Sequence, residues 1–284
     1  MYKQVNSFDT NNKERIYNLL TLKGETLIKG DLLALRRGLK TNEQFSNFFT
    51  EISSQIDILL IYFINDEISA SLNDRATLSL LIEELTTDYY TDEDFKVLEV
   101  AKKDLRDLFT NRTDFIIGSN FLDFTINTYS VFEYNMSILY EIVILKYPRS
   151  NKKEKELIEL IKKYTENKNL EEKQVLLEKI KKINFYISSS EKIDYVLSKC
   201  SKIKDELEKI KEFITFYRNQ RNTIHNLGIN KGKSQSLIVN DIKMQMETEK
   251  PLFTEDHNSA IYSCRKLVSI YESILTNITG EIVF

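Results

Sequence analysis

Glycine and proline, the residues that most often interrupt helices and strands, are scarce in this chain. Only 7 glycines and 2 prolines occur among its 284 residues. Sandwiches and barrels need many turns, which draw heavily on these two residues. We therefore predict an all-α fold, built as a multi-helix bundle. One small β-hairpin is expected before the last helix, where apolar and polar residues alternate from Ile242 to Met246 after a turn at Asn240–Asp241.

The order of apolar segments and turn residues predicts two parts. Residues 1–114 form an N-terminal helical region, which we expect to serve as a sensor, regulatory or partner-binding part. Within it, a capping box at Thr41 opens a long helix, and shorter helices follow Asp74 and Thr91. Residues 115–284 form a second helical domain, which begins where turn residues and a glycine interrupt the helical pattern.

Two segments of the second part are apolar enough to be core helices. One runs from Phe121 and is closed by Pro148, and the other is the final helix, after Thr254 and ending at Gly280. A helix that is apolar over much of its circumference belongs in a core or at a subunit interface. Both helices are therefore candidates for a dimer interface.

Between these segments the pattern predicts a charged helical hairpin and a long helix. Residues 151–187 are rich in lysine and glutamate, with a break at Asn167–Asn169. The charges are expected to form a solvated face, and RNA contact is the alternative. One continuous helix is expected from Ser189 to Gly228, because glycine is the residue most often found just after a helix.

The charge balance and the short apolar runs restrict where the chain can act. A net charge of −3 gives no bulk attraction to nucleic acid or membranes, so any polyanion site must be a local patch. The longest apolar run, Ile58–Ile64, is too short to span a bilayer and should be buried helix core. Cys200 and Cys264 lack CxxC spacing, and we expect buried or free thiols in a reducing compartment. These features predict a cytoplasmic protein without membrane contact.

Most of the functional signal lies in a polar run within the long helix. The stretch FYRNQRNTIHNLG, Phe216–Gly228, contains one of the two histidines of the chain. On a helix with 100° per residue, Arg218, Asn222 and His225 align on one shoulder of an apolar stripe. The stripe consists of Leu207, Ile210, Ile214, Tyr217 and Ile224.

These residue types meet the demands of RNA cleavage through the ribose 2′-hydroxyl. A base must activate the hydroxyl, a cation must stabilise the phosphorane, and an acid must protonate the leaving 5′-oxygen. Arginine binds phosphate through its planar fork, and histidine transfers protons near neutral pH. The chemistry needs no metal, and no cofactor or metal-ligand motif is visible in the sequence. The alternative is structural, because the same side chains can bond the last carbonyls of a helix and bridge its neighbours.

The stretch resembles the signature of HEPN domains, the higher eukaryote and prokaryote nucleotide-binding helical domains. Their motif is an arginine, usually followed by a polar residue, and then four to six residues before a histidine. Arg218-Asn219 with His225 match the six-residue form, and the resemblance covers about residues 115–284. It implies a metal-independent endoribonuclease that acts as a homodimer, commonly a toxin, abortive-infection or antiviral-defence effector. RNA is then the substrate, and an antitoxin or sensor protein is a candidate partner.

The resemblance also implies roles for individual residues. Arg218 would stabilise the phosphate, and His225 would transfer protons. The polar helper is Asn219 by the family pattern and Asn222 by the helix geometry. Arg221 projects near the centre of the apolar stripe, only three residues short of His225. Which of the two arginines is the motif arginine therefore stays open.

Several alternatives remain open at the level of sequence. Lys231 and Lys233, just after the motif, are candidate RNA-binding residues, with a flexible solvated loop as the alternative. One motif per chain supplies one proton-transfer group, so a homodimer would supply both the base and the acid. The competing function is a non-catalytic HEPN-like module that binds RNA or nucleotide, or only dimerises. A purely structural helical protein is the third alternative.

Overall fold

The regular secondary structure of the described residues is helical apart from one hairpin. The computed structural model describes residues 12–37, 43–71, 113–148, 152–183, 186–200, 206–225, 228–239, 242–250 and 257–279. These stretches form eight helices and one two-stranded antiparallel sheet. The predicted all-α fold with a small hairpin before the last helix is confirmed.

The elements follow each other along the chain as helices, one hairpin and a closing helix. In order they are α1 (Asn12–Arg37), α2 (Glu43–Ser71), α3 (Thr113–Lys146), α4 (Lys152–Glu166), α5 (Leu170–Lys182), α6 (Ser189–Ser198), α7 (Leu207–His225), β1 (Gln235–Val239), β2 (Ile242–Met246) and α8 (His257–Thr279). Among the described helices, none combines the length and the apolar character that a membrane span requires.

Helices α1 and α2 form an antiparallel pair. Gly30 of α1 lies so close to Phe49 of α2 that a Cβ added to the glycine would be 3.2 Å from the Phe49 Cβ. Further along, Lys23 of α1 forms an ion pair with Asp57 of α2. Since the residue number falls on one helix as it rises on the other, the two helices run in opposite directions.

The pair packs on α3 and α8 through a cluster of aromatic rings. The Phe48 ring of α2 lies 3.9 Å from the Tyr271 ring of α8, centroid to centroid, and 6.4 Å from the Phe132 ring of α3. At the edge of this contact, the Arg265 Nε of α8 lies 2.7 Å from a Glu25 carboxylate oxygen of α1. The N-terminal helices thus close over the C-terminal ones around one hydrophobic core.

Helices α3 and α8 are core helices. Buried apolar side chains occur along the length of α3, from Phe121 to Val143, and no described side chain of α8 is an exposed large hydrophobic residue. The described contacts place the buried residues of both helices in the core, whereas Tyr134 and Leu145 of α3 are exposed, so a dimer interface stays a prediction. Because α1 and α2 pack on the same helices, both predicted parts share this core. The division of the chain at residue 114 stays a prediction.

The predicted continuous helix from Ser189 to Gly228 is wrong, because two helices occupy this region. Helix α6 ends at Ser198, and the next two amides donate to carbonyls only three residues back: Lys199 to Val196 at 3.0 Å and Cys200 to Leu197 at 3.1 Å. This tight last turn buries the Cys200 side chain. The helix therefore ends where the chain turns to bury Cys200, a tertiary contact that overrides the local helical pattern.

The other helix predictions have mixed outcomes. The charged hairpin is confirmed as α4 and α5, with Asn169 accepting the Glu171 amide at 3.0 Å as an N-cap. The run Ile58–Ile64 lies in α2, but only part of it is buried: Ile58 and Ile61 are exposed. Helix α1 was not predicted. The predicted helices after Asp74 and Thr91, and the capping box at Thr41, lie outside the described residues.

The hairpin between α7 and α8 has the predicted alternation. Val239 pairs with Ile242, and the predicted turn residues Asn240–Asp241 lie outside the described residues. Met244 and Met246 are buried, whereas Lys243 is exposed. The hairpin packs on the helices with the methionines inward, and its outer face carries Lys243 together with the exposed Ile238.

Both cysteines are buried and form no disulfide. Cys200 lies at the end of α6 and Cys264 in α8. The expectation of buried thiols is confirmed. Burial raises the pKa of the Cys264 thiol, so it stays protonated in the folded protein.

Candidate functional site

Helix α7 carries the polar motif and is held in place by its apolar stripe. Ile210, Ile214 and Tyr217 are buried, and Leu207 and Ile224 pack partly buried against the same core. The stripe predicted from the sequence is therefore confirmed. Its burial fixes which side of α7 faces the protein and which side remains for the polar residues.

Tyr217 sets the position of α7 against α3. Its hydroxyl lies 2.8 Å from the Thr128 hydroxyl, and its ring packs edge-on against the Tyr129 ring at 5.6 Å between centroids. All three residues are buried, and burial raises the pKa of Tyr217, so its hydroxyl stays neutral. This contact lies in the same helical turn as Arg218 and Arg221, whose positions it therefore determines.

Arg221 is engaged within the protein. Its Nη2 lies 3.3 Å from a Glu133 carboxylate oxygen of α3, and its Nη1 donates to the Asn222 side-chain oxygen at 3.1 Å. The two charged side chains are only 28% and 20% exposed. Two of the three nitrogens of the Arg221 fork are thus occupied in joining α7 to α3.

Arg218 differs from Arg221 in its surroundings. It is half-buried and lies beside a narrow groove between α6 and α7. Within the described part of the chain, it forms no hydrogen bond or ion pair. Its guanidinium group can therefore bind an anion without first breaking such a contact.

The buried Tyr129 hydroxyl places both arginines in one neighbourhood. Burial raises the pKa of Tyr129, the Glu133 charge raises it further, and the charges of Arg218 and Arg221 lower it. The hydroxyl has no hydrogen-bond partner among the described residues. Tyr129 and Glu133 are the site neighbours that the sequence did not identify. Their four-residue spacing on α3 is visible in the sequence, but nothing local shows that this face meets α7.

The two asparagines of the motif have different surroundings. The Asn219 side chain donates to the Gln235 side chain of β1 at 3.0 Å, so it helps to hold the hairpin against α7. Asn222 is exposed, four residues after Arg218, and accepts a hydrogen bond from Arg221. The position of Asn222 suits a polar helper on the open side of the helix. Which asparagine acts stays a prediction.

His225 is the last residue of α7, and the structure describes its backbone but not its side chain. Gly228, the predicted residue just after the helix, has a φ of 74° and donates its amide to the Thr223 and Ile224 carbonyls at 3.0 and 3.3 Å. A positive φ is available to glycine without strain, and it turns the chain away from the helix.

Lys231 and Lys233 are exposed, but their backbone is tied down. The buried Asn230 side chain accepts the Gly232 amide at 2.9 Å, and the Asn230 carbonyl accepts the Glu249 amide at 2.7 Å. These bonds join the segment before β1 to the segment after β2. The lysines therefore project from a fixed turn rather than from a loose loop, and their contact with RNA stays a prediction.

The described side chains of the site can bind an anion. Among the described residues, no group of three or more His, Cys, Asp and Glu side chains could hold a metal. What α7 offers is a half-buried guanidinium group beside an exposed amide and a groove. Comparison with models of known protein families, with curated proteins and with solved structures found no match.

Proposed function

We propose that this protein is a metal-independent endoribonuclease of the HEPN type, acting as a prokaryotic antiviral-defence or toxin effector. The observation that carries the proposal is that the two arginines of the motif differ in their contacts within the protein. Arg221 is paired with Glu133, whereas Arg218 has neither a hydrogen bond nor an ion pair among the described residues. Arg218 has six residues between it and His225, within the four to six of the HEPN motif, whereas Arg221 has only three.

The proposed reaction is a transfer of the phosphate from the 5′-oxygen to the 2′-oxygen. The His225 imidazole takes the proton of the ribose 2′-hydroxyl, and the resulting oxygen attacks the adjacent phosphorus. Arg218 donates two hydrogen bonds to the phosphorane, whose extra negative charge it stabilises. The bond from phosphorus to the 5′-oxygen breaks, and that oxygen takes up a proton. The products are a 2′,3′-cyclic phosphate and a 5′-hydroxyl.

A homodimer is part of the proposal because the reaction needs two proton transfers. One chain supplies one histidine in the motif. If the C-terminal ends of two α7 helices meet, one His225 acts as the base and that of the second copy acts as the acid. Light scattering at micromolar concentration should give the mass of a dimer. A strict monomer under conditions of full activity would contradict the composite site.

Cleavage of total RNA in EDTA tests the proposal. Wild type should cut, and Arg218→Ala and His225→Ala should lose activity by about 100-fold or more, as expected for removal of a charge-stabilising or proton-transferring group. Lys209→Ala is the matched control, since this exposed lysine lies on another face of α7. Equal cleavage by wild type and both motif variants would overturn the assignment.

The competing function is a non-catalytic HEPN-like module that binds RNA or nucleotide. The exposed Lys231 and Lys233 are held on a fixed turn just after the motif. They favour RNA binding whether or not the RNA is cleaved. In that case wild type would bind RNA without cutting it, and Arg218→Ala would weaken binding with no activity to lose. The cleavage experiment therefore separates the two functions.

A further inference from the structure

A row of polar side chains extends the candidate site toward the N-terminus of α7. Residues 211, 215, 218 and 222 follow each other at intervals of four, three and four, so they lie on one face of the helix. Thr215 and Asn222 are exposed, and Lys211 and Arg218 are partly exposed. Lys211, Thr215 and Arg218 line the groove between α6 and α7. We refer to Lys211, Thr215, Arg218 and Asn222 as the α7 ridge.

The ridge is an open face of α7 because other faces are covered. Ile214 and Tyr217 face the hydrophobic core. Asn219 bonds to β1, and the Thr223 hydroxyl contacts the Met246 sulfur of β2 at 4.0 Å. A ligand that reaches Arg218 can therefore continue along the ridge without displacing the core or the hairpin.

We propose that the α7 ridge binds the sugar-phosphate backbone of single-stranded RNA, with Lys211 as a second phosphate contact. The seven-residue interval between Lys211 and Arg218 corresponds to about 10 Å along the helix. A short RNA segment spans this distance, with its scissile phosphate at Arg218 and a flanking phosphate at Lys211. The Thr215 hydroxyl lies between them as a neutral hydrogen-bonding group. The choice of RNA as the ligand rests on the proposed ribonuclease function.

Two carboxylates lie in the surroundings of Lys211. The Glu208 carboxylate lies 3.5 Å from its ammonium group, and Asp194 of α6 lines the opposite wall of the groove. Glu208 is 87% exposed, and exposed ion pairs of this kind contribute little to stability. The flexible lysine stem can therefore turn from Glu208 to a phosphate. It follows that Glu208 competes with RNA, so its neutralisation should strengthen binding.

Lys209 provides a matched control within the same helix. It carries the same charge two residues before Lys211 and is exposed, but it lies about 200° around the helix. A general electrostatic effect of the whole protein would change binding equally for both lysines. A phosphate path along the ridge affects only Lys211.

The experiment measures binding separately from cleavage. The full-length protein is titrated onto a fluorescent 2′-O-methyl RNA of about 12 nucleotides, which lacks the attacking hydroxyl. Fluorescence anisotropy is followed at salt concentrations from roughly 50 to 200 mM. Lys211→Gln should weaken binding about fivefold and reduce the slope of log affinity against log salt by about 0.7, the value for one phosphate contact. Lys209→Gln should leave both unchanged, and Glu208→Gln should tighten binding about twofold.

The outcomes separate this inference from the proposed enzyme activity. If Lys211→Gln weakens binding selectively but wild type does not cut natural RNA, RNA binding by the α7 ridge is supported and the ribonuclease proposal is contradicted. If wild type cuts RNA but Lys211→Gln binds like wild type, RNA binding by the α7 ridge is contradicted and the ribonuclease proposal is supported. Equal losses for Lys211→Gln and Lys209→Gln, no tightening by Glu208→Gln, or no binding by wild type would also overturn the ridge. Circular dichroism and thermal unfolding verify that each variant is folded.

Discussion

Arg221 of α7 and Glu133 of α3 form a half-buried ion pair with 3.3 Å between the Arg221 Nη2 and a Glu133 carboxylate oxygen. This ion pair joins the motif helix α7 to the core helix α3. It engages Arg221, which is nearer to His225 in sequence than Arg218 is. Arg218 is left on the open face of α7, beside the groove. This relationship favours Arg218 over Arg221 as the phosphate-binding residue, and that assignment stays a prediction.

Loss of the Glu133 charge should reduce the stability of the protein. In Glu133→Gln the half-buried Arg221 loses its counter-charge, and the expected cost is about 1–2 kcal/mol, between that of exposed and fully buried pairs. Urea unfolding followed by circular dichroism measures the change. Glu208→Gln, at a highly exposed ion pair, is the control and should unfold like wild type. A Glu133→Gln protein as stable as wild type would show that the pair does not hold α7 in place.

Two buried tyrosines beneath the site should differ in how much stability the protein loses when the hydroxyl is removed. The Tyr217 hydroxyl bonds to Thr128 at 2.8 Å, so Tyr217→Phe should cost about 1 kcal/mol. The Tyr129 hydroxyl is buried without a partner among the described residues, so Tyr129→Phe should be neutral or stabilising. Urea midpoints of the two variants provide the comparison. A larger loss for Tyr129→Phe would mean that a partner satisfies this hydroxyl in solution.

Alanine substitution of two glycines, one just after α7 and one inside α1, tests the backbone conformation at the end of α7. A Cβ added to either Gly228 or Gly24 meets nothing within 4 Å. Gly228 has a φ of 74°, so Gly228→Ala should destabilise the protein by about 1 kcal/mol. Gly24 lies inside α1, where alanine is the better helix former, so Gly24→Ala should stabilise by about 0.5–1 kcal/mol. Thermal unfolding should therefore shift in opposite directions, and a shift of the same sign for both would contradict the helix end at Gly228.

Stability should fall at alkaline pH, in part through Cys264. Burial raises the pKa of this thiol above its ordinary value of 9.0. Well below pH 9.0 the thiol is protonated in both the folded and the unfolded chain. Above it, only the unfolded chain releases the proton, so unfolding becomes more favourable as pH rises. Urea unfolding between roughly pH 8 and 10 should show a smaller decline for Cys264→Ala than for wild type. Parallel declines would mean that the thiol is not the responsible group.

The sequence predicts features that depend on local periodicity. The stripe of α7, the end of that helix at Gly228 and the buried methionines of the hairpin all follow from patterns within a few residues. Helix α1 escaped prediction because apolar residues lie on more than one of its faces: Leu19 and Leu22 are buried, whereas Leu20 and Ile28 are exposed. Such a distribution weakens the periodic signal on which the prediction depends.

Features that depend on tertiary contacts could not be predicted. The helix break after Ser198 depends on the burial of Cys200 in the turn that follows, which no local pattern reveals. Likewise, the sequence shows Glu133 on one helix and Arg221 on another, but not that they meet. The roles expected of Arg218 and His225 follow from the motif. The assignment of Arg221 to structure required the fold.

The most direct test of the ribonuclease account is the chemistry of the RNA ends that wild type produces in EDTA. The account predicts 2′,3′-cyclic phosphate and 5′-hydroxyl ends, no cutting at a position where the 2′-hydroxyl is replaced by hydrogen, and no such ends with His225→Ala. Products with 3′-hydroxyl ends, cutting at the 2′-deoxy position, or identical products from His225→Ala would contradict attack by the 2′-hydroxyl under the control of this motif.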